Sequence, residues 1–81
     1  MNFELYTDAV LTRDVRAKAL CAGDVVKIVD RHPVPGGEDG YSIEVFNALG
    51  DTIAVTSVPE SALEPLLSNE VFSVRRIAVA A

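Results

Sequence analysis

Eighty-one residues are enough for one domain, and twelve acidic against seven basic side chains leave it a net charge of −5. That balance sets the chain against phosphate backbones and anionic lipids, so nucleic-acid and membrane-surface roles are disfavoured. A single cysteine, Cys21, excludes an internal disulfide and suits a reducing cytoplasm, while no apolar run approaches the ~20 residues of a bilayer span.

The first residues, Met1 to Tyr6, carry no basic stretch followed by a long apolar run, so they do not read as a secretory leader. Asp8–Thr12 predicts a short strand, with Phe3 and Leu5 upstream available to pack beside it. A polar loop follows from Arg13 to about Lys18. The next segment, Leu20-Cys21-Ala22-Gly23-Asp24, predicts a tight turn with Gly23 at positive φ. It opens a second strand from about Asp24 to Arg31. Val25, Val26, Ile28 and Val29 put apolar groups on both faces of that strand, which predicts a central or bent position.

His32–Gly40 holds two prolines and three glycines and predicts an exposed loop. Tyr41–Asn47 alternates cleanly, with Tyr41, Ile43 and Val45 inward and Ser42 and Glu44 toward water. Asn47–Asp51 predicts a hairpin turn with Gly50 at positive φ. Thr52–Val58 is the return strand, with Ile53 and Val55 as its expected core residues. Pro59–Glu64 predicts a single helical or 3₁₀ turn, started by Pro59 and stopped by Pro65, and Leu63 is placed to plug one end of the fold. Val71–Ile77 is the expected last strand, with Phe72 and Val74 inward.

These elements predict a mainly β fold: a small SH3-like barrel of about five antiparallel strands, with the short turn before the last of them. Such a barrel is expected to close on itself and fill its interior with its own side chains. An OB-type barrel needs a longer helix than this chain supplies.

The sequence offers no catalytic set, no cofactor-binding motif and no metal site. Cys21 and His32 are the sole candidates for a thiol–imidazole pair, yet they flank one strand and lie roughly 30 Å apart at ~3.3 Å per residue. Cys21 is expected to be a small packed residue and His32 a solvated loop residue. One cysteine and one histidine cannot build a structural zinc site, and Glu38 and Asp39 read as solvated loop charges without the alternating oxygens of a calcium loop. Gly36-Gly37 lacks the lysine and the strand-to-helix setting of a phosphate loop. Too few aromatics are present for a polyproline groove.

Two basic clusters remain, Arg13, Arg16 and Lys18, and then Arg75 and Arg76. They are the expected contact residues for a protein partner. The hydrophobic share of 49% leaves apolar surface for such a partner or for a second copy. The apolar end Ile77-Ala78-Val79 is expected to pair with Phe3–Tyr6 or with its counterpart in a homodimer.

An early V-L-T is followed by L-x-x-G-D-x-V-x-I-V-D from Leu20, G-Y-S-I-E-V-F-N-A-L-G from Gly40, and T-I-A-V-T-S-V-P-E-S-A-L-E-P from Thr52. From Phe3 to about Ile77 this pattern resembles the small bacterial proteins grouped as domain of unknown function 4926. The resemblance implies a stand-alone β domain and brings no functional residues with it. The expected function is therefore non-enzymatic protein interaction in the cytoplasm. The alternatives are an antitoxin-like or immunity-like inhibitor of a co-encoded protein, or a nucleic-acid-associated barrel.

Overall fold

Five antiparallel strands form one sheet in the order β4-β3-β2-β1-β5 in the computed structural model, which describes residues 2–77. The strands are β1 (Asp8–Leu11), β2 (Val25–His32), β3 (Gly40–Phe46), β4 (Thr52–Pro59) and β5 (Leu63–Pro65). Single 3₁₀ turns occupy Arg16–Lys18 and Glu60–Ala62. No helix among the described residues is long and apolar enough to cross a membrane.

Turn chemistry sets the junctions. Gly23 sits at φ 92°, and the Asp24 carboxylate accepts the Cys21 N–H at 2.7 Å, closing a side-chain-capped turn into β2. The β3–β4 hairpin uses the same devices, with Gly50 at φ 90° and Asn47 Oδ1 accepting the N–H groups of Leu49 and Asp51.

β2 lies in the centre of the order, as its two apolar faces predict. The register slips between Ile28 and Asp30, so the strand bends there. Val26 and Ile28 point into the core with Ala9 and Leu11 of β1 and Tyr41, Ile43 and Val45 of β3. Tyr41 and Ile43 are fully buried, which matches the alternation of β3. Leu20 and Leu63 are buried in the same cluster.

Three expectations are corrected. In β4 the inward residues are Ala54, Thr56 and Val58, while Ile53 and Val55 are 41% and 55% exposed. The cause is register: Tyr41 opposes Val58, Ile43 opposes Thr56 and Val45 opposes Ala54, and paired residues share a face. Secondly, the last strand is Leu63–Pro65 and not Val71–Ile77. The 3₁₀ turn delivers Leu63 straight to Leu11, and the outer edge of β1 is thereby taken. Phe72 and Val74, 76% and 92% exposed, stand outside any ladder. Thirdly, the sheet is open: no β4–β5 ladder joins its margins among the described residues.

The expected pairing of Ile77-Ala78-Val79 with Phe3–Tyr6 falls largely outside the described residues; within them, bonds to β2 and β3 hold the Phe3–Tyr6 segment. Tyr6 donates its N–H to the Ile28 carbonyl at 2.6 Å, and Phe3 donates to the Tyr41 hydroxyl at 3.1 Å. Ala78 and Val79 lie outside the described residues.

Candidate interaction surface

Of the five basic residues singled out in the sequence, Arg75 meets the turn that carries Arg16 and Lys18, whereas Arg13 turns away to Ser61. Arg13 reaches the second 3₁₀ turn, where its Nη2 donates to Ser61 Oγ at 2.7 Å. Ser61 in turn donates its N–H and hydroxyl to Glu38, at 2.7 and 3.2 Å. Arg16 and Lys18 project from the first 3₁₀ turn, exposed and without an ion pair among the described residues. Arg75 folds back to the end of that same turn. It donates from Nη2 to the Ala19 carbonyl at 3.1 Å and grips the Asp24 carboxylate. Arg76 is exposed and forms no ion pair among the described residues. Two of the five cations are thus already spent on acids and hydroxyls of the fold itself.

The loop acids are not merely solvated. Asp39 pairs with Arg31 at 2.6 Å and accepts the Val34 N–H at 3.3 Å, so the Arg31 hydrogen bond holds its carboxyl below the usual range. Glu38 is held low by the Ser61 N–H and then by the Ser61 hydroxyl. Both acids therefore pin the loop between β2 and β3 to its neighbours. Among the described residues, no three His, Cys, Asp or Glu side chains gather where they could hold a metal ion.

Cys21 and His32 remain apart, with the whole of β2 between them. Cys21 is half-buried. His32 is the last residue of β2, not part of the loop, and its Nε2 lies 2.7 Å from Ser42 Oγ, which lies 3.2 Å from Ser57 Oγ. This polar row on the outer face was overlooked in the sequence. The signal for it is the outward parity that Ser42 shares with Glu44.

The larger feature missed in the sequence is apolar. Phe46 at the end of β3 is 41% exposed, and with Ile53 and Val55 it leaves an apolar surface on the β3–β4 hairpin. Leu49, at the hairpin tip, is 89% exposed. Phe46 and Ile53 also line an open groove with Leu66, Val71 and Phe72 of the segment beyond β5. Single exposed apolar side chains are ordinary on protein surfaces, whereas here several stand as neighbours on one hairpin.

No curated protein and no solved structure matches the chain. A family match does exist, over residues 5–65. It starts just before β1 and stops at Pro65, the last residue of β5, so it covers the sheet and omits the segment that follows. By that match, the chain belongs to the family described as domain of unknown function (DUF4926).

Proposed function

We propose that this domain is a protein-binding module of the SH3-like barrel type, working in the bacterial cytoplasm and carrying out no chemistry of its own. The observation that carries this reading is the apolar surface of Phe46, Ile53 and Val55, which the fold leaves uncovered. The barrel type is supported by the strand order, with a 3₁₀ turn between β4 and β5. The test is affinity capture from the native host with the wild-type chain and with Phe46→Asp. Partners retained by the first and lost with the second support the reading. Identical retained sets, or none, overturn it.

A second reading is an inhibitor that masks a basic co-encoded protein. Residues 5–65 hold ten Asp or Glu and five Lys or Arg, a balance of −5, which suits covering a cationic site. Binding to a small basic protein encoded beside it, weakening steeply with salt, favours this version. A salt-dependent gel shift with RNA or DNA would instead favour the nucleic-acid-associated alternative, against the charge.

A further inference from the structure

The edge of β4 is unusual for a sheet margin. The strand pairs only with β3, and its eight residues present an open ladder on the other side. Natural edges are commonly blunted by charge, proline or shortness. From Thr52 to Val58 this one has neither a charged residue nor a proline, and its single proline is the last residue, Pro59. The opposite margin, β5, is blunted by shortness and by charge: it is three residues long, with Glu64 in its middle.

The same chain also carries a β-prone segment that joins no strand. Val71-Phe72-Ser73-Val74 is rich in β-branched and aromatic residues, yet it lies in no ladder, helix or turn. Val71, Phe72 and Val74 are 92%, 76% and 92% exposed. Arg75, clamped to Asp24 and to the Ala19 carbonyl, fixes the far end of this stretch against the fold. The segment is therefore presented from a fixed point, which lowers the ordering cost of docking it.

We propose that Val71–Val74 of one copy adds as a strand to the free edge of β4 in a second copy, and that reciprocal exchange closes a two-fold dimer. Alternation brings Phe72 and Val74 beside the exposed Ile53 and Val55. Charge agrees with this choice of occupant. Arg76 follows the donor stretch, while Glu44, opposite Val55, and Asp51, next to Thr52, flank the acceptor. None of the three has an ion pair among the described residues. The dimer and the hetero-partner reading draw on the same Ile53 and Val55 surface, and the outcomes separate them: a monomeric chain that captures a partner overturns this proposal and leaves that reading standing.

Sedimentation velocity on the full chain tests it, from about 5 µM to about 500 µM. The expected result is a shift from one chain to two. Val74→Pro removes a ladder donor from the added strand, and Val55→Lys charges the edge; each is expected to weaken association by about tenfold or more. Both positions are exposed, so the monomer fold is retained, and Phe72→Asp serves as a second donor variant. An equimolar mixture of V74P and V55K is expected to regain a mixed dimer through its one intact interface. A monomer at every concentration overturns the proposal. So does a dimer that V55K abolishes but V74P and F72D leave intact, because the edges are then pairing with each other.

Discussion

The guanidinium of Arg75 holds the carboxylate of Asp24 with two bonds, Nη2 to Oδ2 at 2.6 Å and Nε to Oδ1 at 2.8 Å, across 51 residues of sequence. Asp24 also caps the turn that opens β2, so one side chain serves the turn and the segment beyond β5. A planar fork of this kind fixes direction as well as distance.

That double duty gives a pH signature. The Arg75 hydrogen bond holds the Asp24 carboxyl below its ordinary value, with burial opposing and the Cys21 N–H assisting. A carboxyl depressed in the folded state contributes stability above its unfolded value of about 3.9 and loses it as pH falls through the lower folded value. The Nε–H signal of Arg75 and the amides of Val74–Arg76 are therefore expected to stay constant from neutral pH down to about pH 4 and to move only below it. In Asp24→Asn the same amides are expected to exchange faster at neutral pH, and the acid transition to vanish. Unchanged exchange in that variant counts against the clamp.

The register of β4 predicts unequal isoleucines. Ile43→Ala removes a fully buried side chain and is expected to cost about 2–5 kcal/mol in urea unfolding. Ile53→Ala, on the outer face, is expected to cost under about 1 kcal/mol. Equal costs would mean that the hairpin has slipped by one residue.

Tyr41 is buried as a ring but connected as a hydroxyl. It packs edge-on against Phe3 at 5.5 Å, accepts the Phe3 N–H and donates to Glu60 Oε1 at 3.3 Å. Tyr41→Phe keeps the ring and is expected to cost about 1 kcal/mol, with residues 2–6 losing exchange protection first. Tyr41→Ala, which empties the core, is expected to cost at least about 3 kcal/mol.

Ala19 adopts the left-handed conformation, φ 57° and ψ 31°, at the end of the first 3₁₀ turn. An alanine there pays roughly 1–2 kcal/mol in steric strain, and a glycine none. Glycine loses part of that gain to its freer unfolded chain, so Ala19→Gly is expected to raise stability by about 0.5 kcal/mol. Thermal and urea unfolding both check it.

Much of the sheet was legible because its signals are local. Strict alternation in Tyr41–Val45, glycine at the two turns, and the proline-flanked 3₁₀ turn each depend on a few adjacent residues. The facing of β4 is not local. Ile53 and Val55 outweigh Ala54 and Thr56 in hydrophobicity, but the register with β3 decides, and a shift between Val45 and Phe46 sets it. Counting back by twos from Val58, the partner of buried Tyr41, gives the correct face. β5 was hidden for another reason, since three residues ending in proline are too short to show a period. The exposed apolar surface shared this fate: basic residues attract notice in a sequence, whereas an apolar patch exists only once strands are paired. Nothing in the sequence links Arg75 to Asp24 or Arg13 to Ser61, because those bonds join distant stretches of chain.

The three-residue length of β5 has a mechanical consequence. Only three rungs fasten that margin to β1, and the last of them, at Pro65, has no N–H to give. Tension applied at the C-terminal end, once it has broken the grip on Asp24, meets the weakest seam of the molecule first. Unravelling from that side would bare the flank of β1 while the β2–β3–β4 body stays whole.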